Sequence, residues 1–227
     1  FIKRITNRFF WKSDQSSSYR INNKLVASWF DKTQSLVFTE EAAVKEESTI
    51  IPLIHQKITS DSSILDLGCG NGRYAEALGN DIKEYLGVDI SQNFVKNANL
   101  KYSDEKINFV FSPAHTFIQK NKFDVILMIG LLTYMNDDEI EKMISNCKKM
   151  LNPGGWIIVR NVCFNESVRK VYDDKWNIIK KLLRKPPYFI IRRPEKEFLR
   201  FFDSFQLNNE LNIPDTTYRL YVFTLSE

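Results

Sequence analysis

Three glycines within five residues, at 68, 70 and 72, follow directly on the apolar run Ile64-Leu65-Asp66-Leu67, and no other stretch restricts the fold as much. Glycine has no Cβ, so such a turn can take positive φ and bring a ligand against the backbone. Arg73 to Leu78 then reads as the start of a helix. A buried strand, a tight glycine turn and a helix N-terminus make a nucleotide-binding corner in a doubly wound α/β sheet. Asp89 closes the next apolar run, Tyr85-Leu-Gly-Val-Asp, about 20 residues further on, where such sheets place the carboxylate that takes a pair of ribose hydroxyls.

The 227 residues suffice for one α/β domain with a sizeable core. The longest apolar run, Val125 to Met135, is interrupted by Gly130 and Thr133, so no transmembrane span is expected. The net charge of +4 is too small to single out nucleic acid as a partner. Cysteines 69, 147 and 163 are odd in number and share no metal-ligand spacing. They predict a reduced, cytoplasmic protein without a bound metal, and no secretory signal is legible. The sequence opens on Phe rather than Met, which leads to the expectation of further sequence, a domain or a partner on that side.

Residues 1–38 read as a helical extension or lid, with Phe1, Ile2, Ile5, Phe9, Phe10 and Trp11 on one face. That face suits packing on the domain or a missing neighbour, or else a membrane surface or partner helix. The main domain is expected over 39–227. A helix over 39–58 carries Pro52, which predicts a kink or a split, and His55 reads as a packed residue. Strands are predicted at 63–67, 84–88, 107–111, 123–129 and 155–162, and helices at 72–79, 92–100, 114–120 and 137–150. Nearly continuous apolar strands alternating with helices argue for a parallel sheet covered on both faces. Asp124, at the start of a strand, reads as structural. Within 165–193 the residues Val168, Val171, Tyr172, Trp176, Ile179, Leu182 and Leu183 recur at helical spacing among many Lys and Arg. A last helix over 194–205 and two strands, 205–213 and 217–225, complete the chain.

This order of motifs resembles the class I S-adenosylmethionine-dependent methyltransferases, over roughly residues 40 to 225. The resemblance rests on Leu65-Asp-Leu-Gly-Cys-Gly-Asn-Gly-Arg, Leu86-Gly-Val-Asp-Ile-Ser, Phe123-Asp-Val-Ile-Leu-Met-Ile-Gly-Leu-Leu-Thr-Tyr and Met150-Leu-Asn-Pro-Gly-Gly-Trp-Ile-Ile-Val. It implies a seven-stranded, mostly parallel, Rossmann-like sheet with an antiparallel last strand, helices on both faces and a cap insertion at 165–193. A dehydrogenase would need its third glycine at Arg73, and no Gly-Lys-Ser/Thr phosphate loop occurs.

The resemblance also implies the cofactor, S-adenosyl-L-methionine, with S-adenosyl-L-homocysteine as its product, and the residues around it. The backbone of Gly68, Cys69, Gly70 and Gly72 would run under the methionine part. Asp66 would act on the amino group, directly or through water. Asp89 would accept both ribose hydroxyls, with Ile90 against adenine. Pro113-Ala114-His115 stands where the family often has Asp followed by Ala, so a backbone carbonyl or His115 would take over the adenine contact. Ile129 and Gly130 would line the path to the sulfur.

Methyl transfer is an in-line displacement, so the protein must hold nucleophile and methyl carbon close and aligned. His115 and Tyr134 fall in loops at the carboxyl ends of strands, and His115 is the better base candidate by its ordinary pKa, with a structural role as the alternative. Tyr172, Trp176, Arg192 and Arg193 are the candidates to meet an acceptor, an anionic one in particular. Ile129-Gly-Leu-Leu stands where nucleic-acid and glutamine amino methylases carry Asn-Pro-Pro-Tyr, which argues against a nucleic-acid substrate. The leading expectation is methyl transfer to an O or N atom of a small molecule, such as a sugar or sugar-nucleotide. The alternatives are a macromolecular methyltransferase acting on tRNA or a protein amine, and a non-catalytic cofactor-binding domain of a longer chain.

Overall fold

The computed structural model describes residues 40–102, 104–162, 169–173 and 189–225. The expected extension at 1–38, Trp176 and most of the 165–193 segment lie outside the described residues. Strands β1 (Ser63–Leu67), β2 (Glu84–Asp89), β3 (Ile107–Phe111), β4 (Phe123–Ile129), β5 (Leu151–Val162), β8 (Phe205–Asn212) and β9 (Tyr218–Leu225) form one sheet in the order β3-β2-β1-β4-β5-β9-β8. β1 to β5 are mutually parallel, and β9 enters antiparallel between β5 and β8. The chain winds outward from β1 to β3 and returns to β4 on the other side of β1. The carboxyl ends of β1 and β4 therefore flank the crevice where open α/β sheets take ligands.

Alternation along each buried strand sends successive side chains to opposite faces. Ile64, Tyr85, Val125, Leu127 and Ile158 face one layer, made by α1 (Glu40–His55), α2 (Arg73–Leu78) and α3 (Gln92–Lys101). Leu65, Leu67, Val88, Ile126, Met128, Ile157 and Val159 face the other, made by α4 (Asp137–Met150) and α5 (Glu195–Leu199). α4 starts on a capping box between Asn136 and Glu139. Asp124 is structural: its carboxylate accepts the Ser63 N–H at 2.8 Å and the Asn152 side-chain amide at 2.7 Å. No helix among the described residues is long and apolar enough to cross a membrane.

Four local expectations need correction. Pro52 does not split its helix, since α1 runs continuously through it. His55, at the end of that helix, is exposed rather than packed, with Nδ1 3.8 Å from Asp81. Residues 114–120 make a turn instead of a helix. The Thr116 and Phe117 N–H groups both reach the Pro113 carbonyl, and the Asn146 amide of α4 takes the carbonyls of His115 and Phe117 that would continue a helix. Within 165–193, β6 (Lys170–Asp173) and β7 (Phe189–Arg192) pair antiparallel, Val171 opposite Ile191 and Tyr172 opposite Ile190. The strand pairing there overrides the helical spacing.

The α4–α5 side closes on an aromatic stack in which the Phe202 and Phe223 rings lie 4.4 Å apart and parallel within 5°. Phe202→Ala is expected to lower unfolding free energy by about 3–5 kcal/mol, read as a lower urea midpoint, with cofactor affinity kept because the stack lies on the face away from the glycine turn.

Candidate cofactor and active site

The glycine turn is built as its spacing implies. Gly68, Gly70 and Gly72 have φ of +79°, +56° and +76°, values that L side chains avoid. The Gly68 and Cys69 N–H groups reach the Val88 carbonyl at 2.7 and 3.2 Å, which fastens the turn to the end of β2. At Gly72 a Cβ would come within 2.5 Å of the Phe109 ring. At Gly70 a Cβ would meet nothing within 4 Å, so the turn presents bare backbone to open space there. Cys69 is buried, with Sγ 3.6 Å from the Gly70 carbonyl oxygen.

Asp89 ends β2 beside this turn. Its Oδ2 accepts the Gly70 N–H at 2.9 Å and its Oδ1 accepts the Ser91 N–H at 2.7 Å. Burial pushes its pKa up to about 6, while the backbone N–H groups of Ser91, Gly70 and Ile90 pull the other way. A carboxylate has about four lone-pair sites, so beyond these N–H groups it keeps acceptor capacity. Bare backbone at Gly70 and a doubly accepting carboxylate next to it fit a nucleoside with a ribose diol. Ile90, half-buried, follows directly. Asp66, at the end of β1, is 1% exposed and accepts the Tyr85 hydroxyl at Oδ2. Burial, only partly opposed by that hydrogen bond and by Arg73, raises its pKa to about 7.

The remaining candidates fall around the same end of the sheet. Ser112 N–H reaches the Asp89 carbonyl at 3.0 Å, which sets the 112–117 turn next to β2. Pro113 is half-buried, Ala114 packs into the α4-side core, and His115 is 7% exposed with its carbonyl held by Asn146. Ile129 ends β4, and Gly130 takes φ +74° with its N–H on the Arg160 carbonyl. A Cβ at Gly68 would lie 3.0 Å from Leu131, so the glycine turn and the β4 end form two walls of one crevice. Tyr134 sits half-buried on a short 3-10 turn, Leu132–Tyr134.

The substrate candidates divide. Tyr172 lies on β6, and Arg192 ends β7 opposite Lys170. Arg193 has a different task from the one expected. It is 4% exposed, and its guanidinium donates to the carbonyls of Leu132 at 3.1 Å and Met135 at 2.7 Å and to Asp137 at 2.7 Å. It clamps β7 to the turn that carries Tyr134, because the carbonyls of that turn need donors. Although burial opposes it, Arg193 and Arg169 hold Asp137 below the ordinary carboxylate range.

Sequence reasoning missed a buried ion cluster over the same end. Glu46, from α1, is 0% exposed. Its carboxylate meets Arg73, at the start of α2, and Arg160, near the end of β5, with Arg160 Nη2 at 2.8 Å. Tyr74 adds its hydroxyl to Glu46 at 3.3 Å. The Arg160 guanidinium lies between Gly130, whose Cβ would come within 2.9 Å, and the Tyr218 ring at 4.4 Å. A signal was present, since Arg160 interrupts the apolar run Trp156-Ile-Ile-Val of a strand buried on both faces.

Residues 64–155 match the family model described as a methyltransferase domain. Phosphoethanolamine N-methyltransferase 1 of Triticum aestivum is 32% identical over 110 residues, which is 46% of this chain and 22% of the wheat protein. A ubiquinone biosynthesis O-methyltransferase of Coxiella burnetii is 31% identical over 106 residues, 45% of this chain and 44% of that protein. The matched stretch thus spans less than half of either relative. In fold, a SAM-dependent methyltransferase from Leishmania major superposes with a TM-score of 0.73 at 14% identity, covering 98% of this chain and 83% of that one. With the glycine turn and Asp89 placed as described, residues 64–155 carry the sequence of a methyltransferase domain, and the fold is the one found in S-adenosylmethionine-dependent methyltransferases.

Removing one partner of a buried ion pair leaves the other charge uncompensated, at a cost of about 3–5 kcal/mol. Glu46→Ala is therefore expected to lower stability by that order, seen in urea denaturation as a reduced midpoint with an unchanged slope.

Proposed function

We propose that the protein transfers a methyl group from S-adenosylmethionine to an O or N atom of a small molecule. The observation that carries this reading is the Asp89 carboxylate. It bridges Gly70 and Ser91 and retains acceptor capacity beside bare glycine backbone. The names of the wheat and Coxiella relatives, an N- and an O-methyltransferase of small molecules, support the acceptor class. A sugar or sugar-nucleotide hydroxyl, or another metabolite bearing an anionic group, is the finer reading.

The bound cofactor supplies an electrophilic methyl group on a sulfonium. The residues of the chain do the rest. Asp89 accepts the ribose hydroxyls and fixes the nucleoside in register with β2. Asp66, sealed under the turn, places negative charge below the amino-acid end. The β4 end, Ile129 to Leu131, walls the approach and keeps water from the transfer line. Tyr134, held by the Arg193 clamp, and His115 are the side chains proposed to meet the acceptor, with His115 taking its proton. The described part of the 165–193 segment, the β6–β7 pair, anchors the acceptor side through the same clamp.

The test offers labelled S-adenosylmethionine to the whole protein with a small-molecule fraction, total RNA and total protein in parallel. Label is expected in the small-molecule fraction; label confined to RNA or protein overturns the acceptor class. Asp89→Ala is expected to weaken S-adenosylhomocysteine binding by at least tenfold with the circular dichroism spectrum kept. His115→Ala is expected to slow turnover with near-normal cofactor affinity, and unchanged turnover removes it as the base.

A further inference from the structure

We infer that Tyr85 is a positioning residue for the cofactor: its hydroxyl holds Asp66 as an oriented carboxylate beneath the amino-acid end of the ligand. The inference rests on the reading of the glycine turn as the cofactor cradle and adds a residue of β2 that acts through Asp66.

The geometry comes from register. Asp66 stands opposite Gly87, and Tyr85 stands opposite Ile64, two residues earlier. Tyr85 and Gly87 share one face of β2. A side chain at Gly87 would collide there: a Cβ would come within 2.5 Å of Phe109 and 2.8 Å of Cys69 Sγ. With no side chain opposite Asp66, the Tyr85 ring leans along the strand, 5.9 Å from the Phe109 ring, and its hydroxyl donates to Asp66 Oδ2. Both residues are 1% exposed, so the pair is a dry donor–acceptor unit in the floor of the cradle. A buried phenol needs a partner, and a carboxylate in a dry site is stabilised by a donor aimed at it.

A donor to the ionised form favours that form. The other groups facing Asp66 are Arg73 from α2, which favours its charge, and Asp89 of β2, which opposes it. Cys69 of the turn stays a neutral thiol, because burial raises its pKa well above the ordinary value. Burial leaves Asp66 with a pKa of about 7, so its charge is poised near neutral pH. The ligand amino group is a cation and binds better over a carboxylate than over a carboxylic acid. Affinity is therefore expected to rise with pH as Asp66 ionises. Deleting the phenol hydroxyl raises the pH at which that happens.

The experiment measures binding of S-adenosylhomocysteine and of 5′-methylthioadenosine, which lacks the amino-acid end, to wild type, Tyr85→Phe and Asp66→Asn from acid to alkaline pH. Tyr85→Phe is expected to move the midpoint for S-adenosylhomocysteine up by about one pH unit. It then binds about tenfold more weakly below neutrality and equally well at alkaline pH, with 5′-methylthioadenosine unaffected. Asp66→Asn is expected to lose the same pH-dependent component. Coincident profiles for wild type and Tyr85→Phe overturn the inference, as does an equal loss for both ligands at every pH, which would mark Tyr85 as packing alone. A wild-type protein that binds neither ligand overturns the cofactor reading itself, a result distinct from coincident profiles.

Discussion

The hydrogen bond from the Gly70 amide to Asp89 joins the glycine turn after β1 to the end of β2, and the shape of the proposed cofactor site depends on it. The turn cannot hold itself. Its left-handed glycines cost conformational entropy, and its amides need acceptors. Val88 supplies one through its carbonyl and Asp89 another through its side chain. The same carboxylate reaches forward to Ser91, which caps α3 by accepting the Phe94 N–H. One side chain thus sets the turn, the strand end and the start of the next helix in a single register. A ligand bridging Gly70 and Asp89 meets a surface already formed.

Around that centre the walls come from opposite sides of the sheet. On the α1–α3 side, Glu46 draws Arg73 and Arg160 together and fixes α1 against both the glycine turn and the β4–β5 ends. On the α4 side, Arg193 and Asp137 tie β7 to the turn before α4. These charged groups hold loops at the carboxyl ends of the strands. Ion pairs buried this way add little net stability but are costly to break. They favour one arrangement of the crevice over others.

The sheet was legible because its code is local. Strand bounds at 63–67, 107–111 and 123–129 coincide with the apolar runs, and the glycine and aspartate spacing located the corner. What escaped is set by contacts distant in sequence. The 114–120 stretch has helical composition, yet Asn146 of α4 takes its carbonyls and leaves a turn. The basic segment around Val171 looked helical by period, but its ends pair as strands across residues about 20 apart. Arg193 read as an anion receptor because its carbonyl partners lie about 60 positions away. Tyr85 is one residue of an apolar run, and only the sheet register shows that a glycine opposite Asp66 opens the path for its hydroxyl.

The central claim is that the turn at 68–72 and the end of β2 grip one nucleoside ligand together. Hydrogen exchange on the whole protein, with and without S-adenosylhomocysteine, tests this most directly. The account predicts ligand-induced protection in the peptides covering residues 66–73 and 87–91. Protection elsewhere with these two segments unchanged would contradict it.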